Sequence, residues 1–585
     1  MSPSLPAVRP APAGGGRDAA LAAAALALCA GLAVASLRGK SATFDEGAHL
    51  PAGYTHLALG DHRLNPEQPP LVKLLAAAPL LVLRPVFHAD DPAWAAGRQW
   101  ELGRRFLYRW NDADRLLIRG RLPMVGLACA LALAVFLRTR RLLGRAPAAL
   151  ALLLCVLSPD VLAHGRLVTT DLALALFFFL SVAAFDRLTR RATVPRLSAA
   201  GLALGAAFAT KFSAPVLLPV LAALGMVAVF SPEPVASRLR GRERLVEGRR
   251  ARVVHVGLLL AAMAAVAWLV VWAAYGFRHA LSPDPAVRQA ERALLDEPGP
   301  GVVPRAVAAA AGLGLVPEDY ARGFLFVLEH SEARPTFLLG ERRDGPFPGY
   351  FLVTFALKTP LALPVLLLLS AFARPRLSWR AAAFLWLPVV LYLAFTSTRG
   401  LQIGHRHLLP VYPFLFVAAS RAALLDGRAL RALVVGLAVT YAASTLRVHP
   451  HYLAYFNEAA GGPRNGYRLL VDSNLDWGQD LPGLAAWMAD RGVSRIKLSY
   501  FGSADPAYYG IDAERLPGYS APHPTHVTRE VRPGDLVAIS ATNLQGLYLE
   551  PEDRRLMARF RRLEPIDQVG WSILVYRADF TWPEP

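Results

Sequence analysis

The sequence predicts a polytopic α-helical membrane protein of about eleven transmembrane helices with a C-terminal soluble α/β domain. Three observations predict it. Hydrophobic residues make up 54% of the chain and mean hydropathy is +0.34, too apolar for an ordinary soluble fold. Charged residues, only 18%, gather in short bursts between long Leu/Ala/Val runs, and every second burst is rich in arginine. The last stretch, 448–585, instead alternates short strand-like and helix-like patterns over a length that suits a small domain.

A span needs roughly 17 to 25 mostly apolar residues. The candidate runs are 19–36, 121–137, 147–163, 167–185, 197–211, 213–230, 254–275, 350–372, 381–397, 406–420 and 432–447. No small-residue cleavage pattern follows the first run, so it reads as a retained span rather than a removed signal peptide. The apolar run Leu71–Leu83 is too short to cross, carries Lys73 and is bracketed by prolines; it reads as an interfacial or re-entrant helix.

Sidedness follows from the arginines. With the N-terminus cytoplasmic, the inner connections are 138–146 (Arg138, Arg140, Arg141, Arg145), 186–196 (Arg187, Arg190, Arg191, Arg196), 231–253, 373–380 and 421–431, all Arg-rich. The organisation is then a cytoplasmic tail 1–18, a membrane domain 19–447 with outer loops 37–120 and 276–349, and an extracytoplasmic α/β domain 448–585. In that last domain Tyr467–Val471, Arg495–Phe501, Asp535–Ser540 and Trp571–Arg577 read as strands, and Leu481–Arg491 and Glu552–Leu563 as helices. Arg554, Arg555, Arg559, Arg561 and Arg562 read as a solvated helix face.

The net charge of +19 has its cause in these membrane anchors, and no long polar domain carries a basic patch, so nucleic acid is not a partner. Cys29, Cys129 and Cys155 all fall in apolar runs and read as small core residues. No phosphate-binding Gly loop or nucleophile elbow stands in a convincing context, which argues against a nucleotide-driven pump and for an energy-rich lipid substrate.

Candidate chemistry gathers on the outer side. Asp45-Glu46 follows the first span, and Asp171 opens the fourth; carboxylates at a membrane mouth are costly to place, and one of them is available as a general base. Against this stand a charged pair that merely ends a span and an acid favoured at a helix N-terminus. Lys73, Arg166, Lys211, Lys358 and Arg406 lie near outer ends of apolar runs, where they either snorkel to headgroups or pair with a phosphate-bearing lipid. His405 and His407, two apart, face different sides of a helix, which argues against a metal between them. No cofactor is required by any motif. Glu67 with His330 or His49 could hold a divalent cation, although nothing in the sequence fixes their separation.

The motifs resemble the polyprenyl-phosphate-sugar-dependent glycosyltransferases of the GT-C type, the group of the protein O-mannosyltransferases and the lipid A aminoarabinose transferases. Matching pieces are Phe44-Asp45-Glu46, Glu67-Gln-Pro-Pro-Leu-Val-Lys73, Thr170-Asp171, Ala209-Thr-Lys211-Phe, Lys358-Thr-Pro360 and Gly404-His-Arg406-His-Leu-Leu-Pro410. The stretch Asp472-Ser-Asn-Leu-Asp476-Trp-Gly-Gln479-Asp480 is similar to the soluble appendage of bacterial family-39-like members. The resemblance implies a multi-pass enzyme of the bacterial inner membrane that moves a sugar from a polyprenyl-phosphate carrier to an extracytoplasmic acceptor, a protein hydroxyl or a lipid or glycan. It implies Asp45 as catalytic base, with Glu46 beside it and Asp171 positioning substrate, and Lys73, Arg166, Lys211, Lys358 and Arg406 as donor-phosphate ligands. Gln68 stands where the mannosyltransferases carry His and the aminoarabinose enzymes Lys, which leaves donor sugar and acceptor open. The alternatives are a lipid-linked-sugar flippase, disfavoured by the absence of internal repeats, and a non-catalytic envelope assembly protein.

Overall fold

The computed structural model describes residues 15–239, 241, 243–280, 282–330, 334–398, 400–524 and 526–583; most of the expected tail 1–18 lies outside them. All eleven expected runs fall on helices. Seven of these helices are long and apolar enough to cross a membrane: Gly16–Ala35, Ala113–Leu143, Asp171–Arg190, Arg249–Ala274, Trp379–Ser397, His405–Leu424 and Arg428–Leu446. The chain is a multi-pass membrane protein.

The other four runs depart from simple spans for local reasons. Run 350–372 is two helices, Tyr350–Lys358 and Ala362–Ser370, bent by 106°. Pro360 lacks an N–H and forces Thr359 out of the helical region, to φ −98° and ψ 133°. The carbonyls freed at the break are satisfied by the Asn457 amide, which donates to Ala356 O (2.5 Å) and Thr359 O (2.8 Å). Run 147–163 is helix Arg145–Val156 followed by a separate turn, Pro159–His164, restarted by the Ser158 cap. Runs 197–211 and 213–230 are the shorter apolar helices Val194–Phe208 and Ala214–Phe230. Helix Val194–Phe208 lies against Arg249–Ala274 at Gly201 and Gly205, where an added Cβ would come within 2.5 Å of Val266 and Val270. Small residues one turn apart are what allow that approach.

Helix Asp171–Arg190 carries an ionised cluster at each end. The Arg-rich connections meet at its Asp186 end, where Arg138, Arg190 and Arg380 converge on Asp186 and Arg190 also reaches Glu233. At its Asp171 end lie loop 37–120, helix Glu318–His330 and the C-terminal region. Loop 37–120 is itself folded, with helices Glu46–Ala58, Leu71–Leu83 and Gln99–Tyr108 packed together. Leu71–Leu83 has the bounds expected of the short apolar run.

The C-terminal α/β layer is a five-stranded mixed sheet in the order Ala513–Arg515, Ile496–Ser499, Leu536–Ser540, Ile573–Arg577, Asp567–Val569. Leu498 and Val575 both pair with Ala538, the first parallel and the second antiparallel. The helices Leu481–Asp490 and Pro551–Phe560 match the expected ones. Helix Pro551–Phe560 buries Leu556, Met557 and Phe560 and leaves Arg555 exposed. Tyr467–Val471, expected as a strand, begins in a 3₁₀ turn, Pro463–Arg468, that continues through Leu469, and Val471 is extended. The Gly461-Gly462-Pro463 lead-in favours the turn, and Gly466 lies flat against the Phe456 ring. The whole region 448–585, segment 448–480 included, packs onto the membrane helices, with Leu574 and Phe580 in the same core. Tyr452, Tyr455 and Trp477 are buried in one core with the membrane helices.

Candidate active site

Asp45 and Glu46 open helix Glu46–Ala58, and successive residues at a helix start point to different sides. Glu46 points inward and is fully buried, whereas the Asp45 side chain is 28% exposed. Glu46 takes a bidentate pair from Arg121 (2.8 and 2.6 Å). It also accepts from Thr43 N (2.9 Å), Thr43 Oγ1 (3.0 Å) and Val168 N (3.0 Å). Burial alone would raise its pKa, but the Arg121 charge and these donors hold it below the ordinary carboxylate value. Glu46 is therefore a saturated anchor that fixes the loop onto Arg121 and the start of the fourth span. Arg121 carried no distinguishing sequence signal beyond being an arginine inside an apolar run.

Asp45 sits at the edge of a chain of charges. Arg406 Nη1 donates to Asp45 Oδ2 (3.0 Å) and to Asp171 Oδ2 (3.2 Å), and Lys211 Nζ donates to Asp171 Oδ1 (2.5 Å). The Arg406 guanidinium lies 4.2 Å from the Trp477 ring centre, a cation–π contact supplied by the C-terminal region. Its Nε is buried without a hydrogen-bond partner among the described residues. Arg406 reaches this position because Gly404 lets the chain pass under Ser473, whose Oγ would stand 2.2 Å from an added Cβ. Asn474 Oδ1 then accepts from His405 N (2.8 Å). His405 and His407 do face apart: His405 bonds Tyr412 and Thr354, and His407 lies edge-on to Phe351.

The other three expected phosphate ligands do not contact this cluster. Lys73 is buried, with Nζ donating to Asn65 O (2.7 Å) and Gln68 O (2.8 Å), so it shapes the Gln68-Pro-Pro loop. Lys358 donates to Leu453 O (2.9 Å) and Asn474 O (2.5 Å) and ties segment 448–480 down. Arg166 donates to Ser36 O at the end of the first span. All three donate to backbone carbonyls, and Lys73 also lines a cavity with Gln68, Asp319 and Arg322.

The candidate metal ligands do not converge. Both Glu67 oxygens are taken, by Asn65 Nδ2 (2.8 Å) and Gln99 Nε2 (2.6 Å). His330 is exposed at its own helix end, with Nδ1 on Phe326 O (2.9 Å), and His49 is buried with Nδ1 on Val168 O (2.8 Å). Among the described residues no group of three His, Cys, Asp or Glu side chains is placed to hold a metal ion.

The stretch 472–480 roofs the cluster, a role its sequence did not announce. Phe44 N donates to Trp477 O (2.8 Å), Ser41 N to Gln479 O (3.0 Å), and Lys40 pairs with Asp480. Asp472, in the left-handed region at φ 58°, accepts from the Tyr548 hydroxyl (2.5 Å) and lies in the electrostatic field of Arg406 and Asp45.

Residues 117–272, just over a quarter of the chain, match the model of the dolichyl-phosphate-mannose-protein mannosyltransferase family. The expected resemblance to lipid-phosphate-sugar glycosyltransferases holds over that stretch, which reads as a glycosyltransferase sequence. Comparison with curated proteins finds no matching sequence. Among solved structures the chain is similar to apo ArnT from Cupriavidus metallidurans, with 13% identity, 96% of this chain and 97% of that one covered, and a TM-score of 0.48. The same protein bound to undecaprenyl phosphate matches with 13% identity, 96% and 98% coverage, and a TM-score of 0.42. The apo Archaeoglobus fulgidus oligosaccharyltransferase matches with 14% identity, 74% and 56% coverage, and a TM-score of 0.45. All three are distant likenesses.

Proposed function

We propose that the protein is an integral-membrane glycosyltransferase that moves a sugar from a polyprenyl-phosphate carrier to an acceptor hydroxyl, with Asp45 as general base. One observation carries the reading. Of two adjacent carboxylates, the reachable one shares a single guanidinium with a buried carboxylate, and a second cation stands beside that carboxylate. Asp45 takes the proton of the acceptor hydroxyl as its oxygen bonds to the anomeric carbon. The bond from that carbon to the carrier phosphate breaks with inversion, and the phosphate leaves with the electron pair. Arg406 and Lys211 neutralise the charge that develops on it. A phosphate arriving at Arg406 competes with Asp45 for the same Nη1, so donor binding frees the base it needs.

Convergence of the Arg-rich connections at the Asp186 end supports a cytoplasmic N-terminus and an extracytoplasmic Asp171 end in a bacterial inner membrane. Reconstituted protein given a radiolabelled polyprenyl-phosphate sugar tests the reading: release of the carrier with labelled acceptor is expected. Movement of intact sugar-lipid across the bilayer would make it a flippase, and neither outcome would leave an assembly role.

A further inference from the structure

Beside Asp45 the first loop and the α/β layer meet in a row of aromatic rings. Phe44, the residue before Asp45, stacks on Phe501 (centroids 5.3 Å apart, planes 30°) and on Tyr519 (5.9 Å, 14°). Tyr519 continues to Tyr548 (4.9 Å, 41°), and Trp100 closes the near edge against Phe44 (5.0 Å, 70°). Phe501 is the buried base, whereas Phe44, Trp100, Tyr519 and Tyr548 are only half-buried. The rings pack at the margin of the main core and keep part of their surface open. Polar groups adjoin the rings: the Tyr548 hydroxyl bonds Asp472, and Asp45 follows Phe44 in the chain.

We propose that this panel is the acceptor subsite and that it takes a carbohydrate ring, presenting one of its hydroxyls to Asp45. The proposal rests on the transferase reading and narrows its acceptor to a saccharide. The apolar C–H face of a pyranose lies on aromatic faces, and its hydroxyls pair with carboxylate oxygens and phenol groups at the rim. An extended peptide acceptor would seek free backbone groups instead, and the backbone here is engaged. Phe44 N donates to Trp477 O, Phe44 O accepts from Ser503 Oγ (2.9 Å), and Gly502 O accepts from Ala521 N (3.0 Å).

Saturation-transfer NMR on the full chain in nanodiscs tests this, with mannohexaose, maltohexaose and cellohexaose as probes against a Ser/Thr-rich peptide of similar length. Signal is expected on ring C–H protons of at least one oligosaccharide, falling at least fivefold in Tyr519→Ala. Tyr548→Phe, which keeps the ring and loses the hydroxyl, should fall about two- to threefold. No oligosaccharide signal, an unchanged signal in Tyr519→Ala, or binding of the peptide alone would overturn the proposal. Water-driven cleavage of the labelled donor by the unaltered protein separates the two readings. Cleavage without oligosaccharide binding sinks only the panel, and oligosaccharide binding without cleavage sinks only the transferase.

Discussion

The two ends of helix Asp171–Arg190 hold ion clusters that differ in how many cations each acid has. At one end Asp186 faces three guanidiniums, Arg138 (2.6 Å), Arg190 (3.1 Å) and Arg380 (3.4 Å), so the carboxylate is saturated. At the other end one guanidinium, Arg406, is divided between Asp45 (3.0 Å) and Asp171 (3.2 Å), and the second cation, Lys211, goes to Asp171 (2.5 Å) and leaves Asp45 with a half-share. An acid with surplus cations is a clamp. An acid that shares its cation and keeps open surface is released when an anion claims that cation. The same contrast separates Glu46 from Asp45 one residue apart. Burial and partner count, rather than residue type, set the locked carboxylates Glu46 and Asp186 apart from the exposed Asp45.

Substitutions can break that contrast. Asp45→Asn keeps shape and removes the base, so turnover should fall about 10²- to 10⁴-fold with membrane insertion and melting temperature unchanged. Near-normal turnover would transfer the base role elsewhere. Glu46→Gln should do the reverse: leaving Arg121 buried without its counter-charge costs about 3–5 kcal/mol, read as a large fall in melting temperature in detergent. If Glu46→Gln melts like the parent, Glu46 is no anchor. Arg406→Met should lower turnover about 10²- to 10³-fold by removing charge neutralisation of the leaving phosphate. A change confined to stability would place Arg406 with the clamps.

Asp186→Asn sharpens the comparison from the other side. It should lower stability while leaving the turnover of the folded fraction as in the parent, since nothing near Asp45 changes. The smallest effect is expected for Arg555→Ala on the exposed face of helix Pro551–Phe560, within about 0.5 kcal/mol by thermal unfolding.

The pairing of Lys40 with Asp480 adds a pH test. Burial would raise the Asp480 pKa, but Lys40 and His451 hold it below the ordinary carboxylate value. A depressed acid contributes stability that is present above its unfolded pKa and is lost as pH falls through the folded one. The contact between loop and tail should therefore keep its hydrogen-exchange protection from pH 7 to pH 5, and Lys40→Met should lose that protection earlier on acidification.

Much of the fold was legible because membrane insertion writes itself into composition. Apolar runs of span length fell on helices throughout the membrane domain, and the 13-residue run Leu71–Leu83 was set apart by its length, Lys73 and flanking prolines, whereas the amphipathic loop helices Glu46–Ala58, Gln99–Tyr108 and Glu318–His330 were not read from the sequence. The break at Pro360 was written in the sequence as a Pro inside an apolar run, but the angle depends on the Asn457 amide, almost a hundred residues away. Tyr467–Val471 misled because a short apolar run, Tyr-Arg-Leu-Leu-Val, fits a strand as well as a buried turn.

The candidate site was legible as a set of residue types and not as a geometry. Asp45, Glu46, Asp171 and the five cations could all be named from their positions at span ends. Which of them meet was decided in three dimensions, because Arg406 reaches Asp45 across 361 positions in sequence and only through the close pass at Gly404. The sequence by itself determined where the apolar helices lie and the presence of an α/β tail, since those follow from local hydropathy and period. The tertiary structure alone decided that Glu46 is locked and Asp45 reachable, that Lys73, Arg166 and Lys358 donate to backbone carbonyls, and that the tail roofs the site. Those outcomes depend on burial and on partners distant in sequence, which no local pattern encodes.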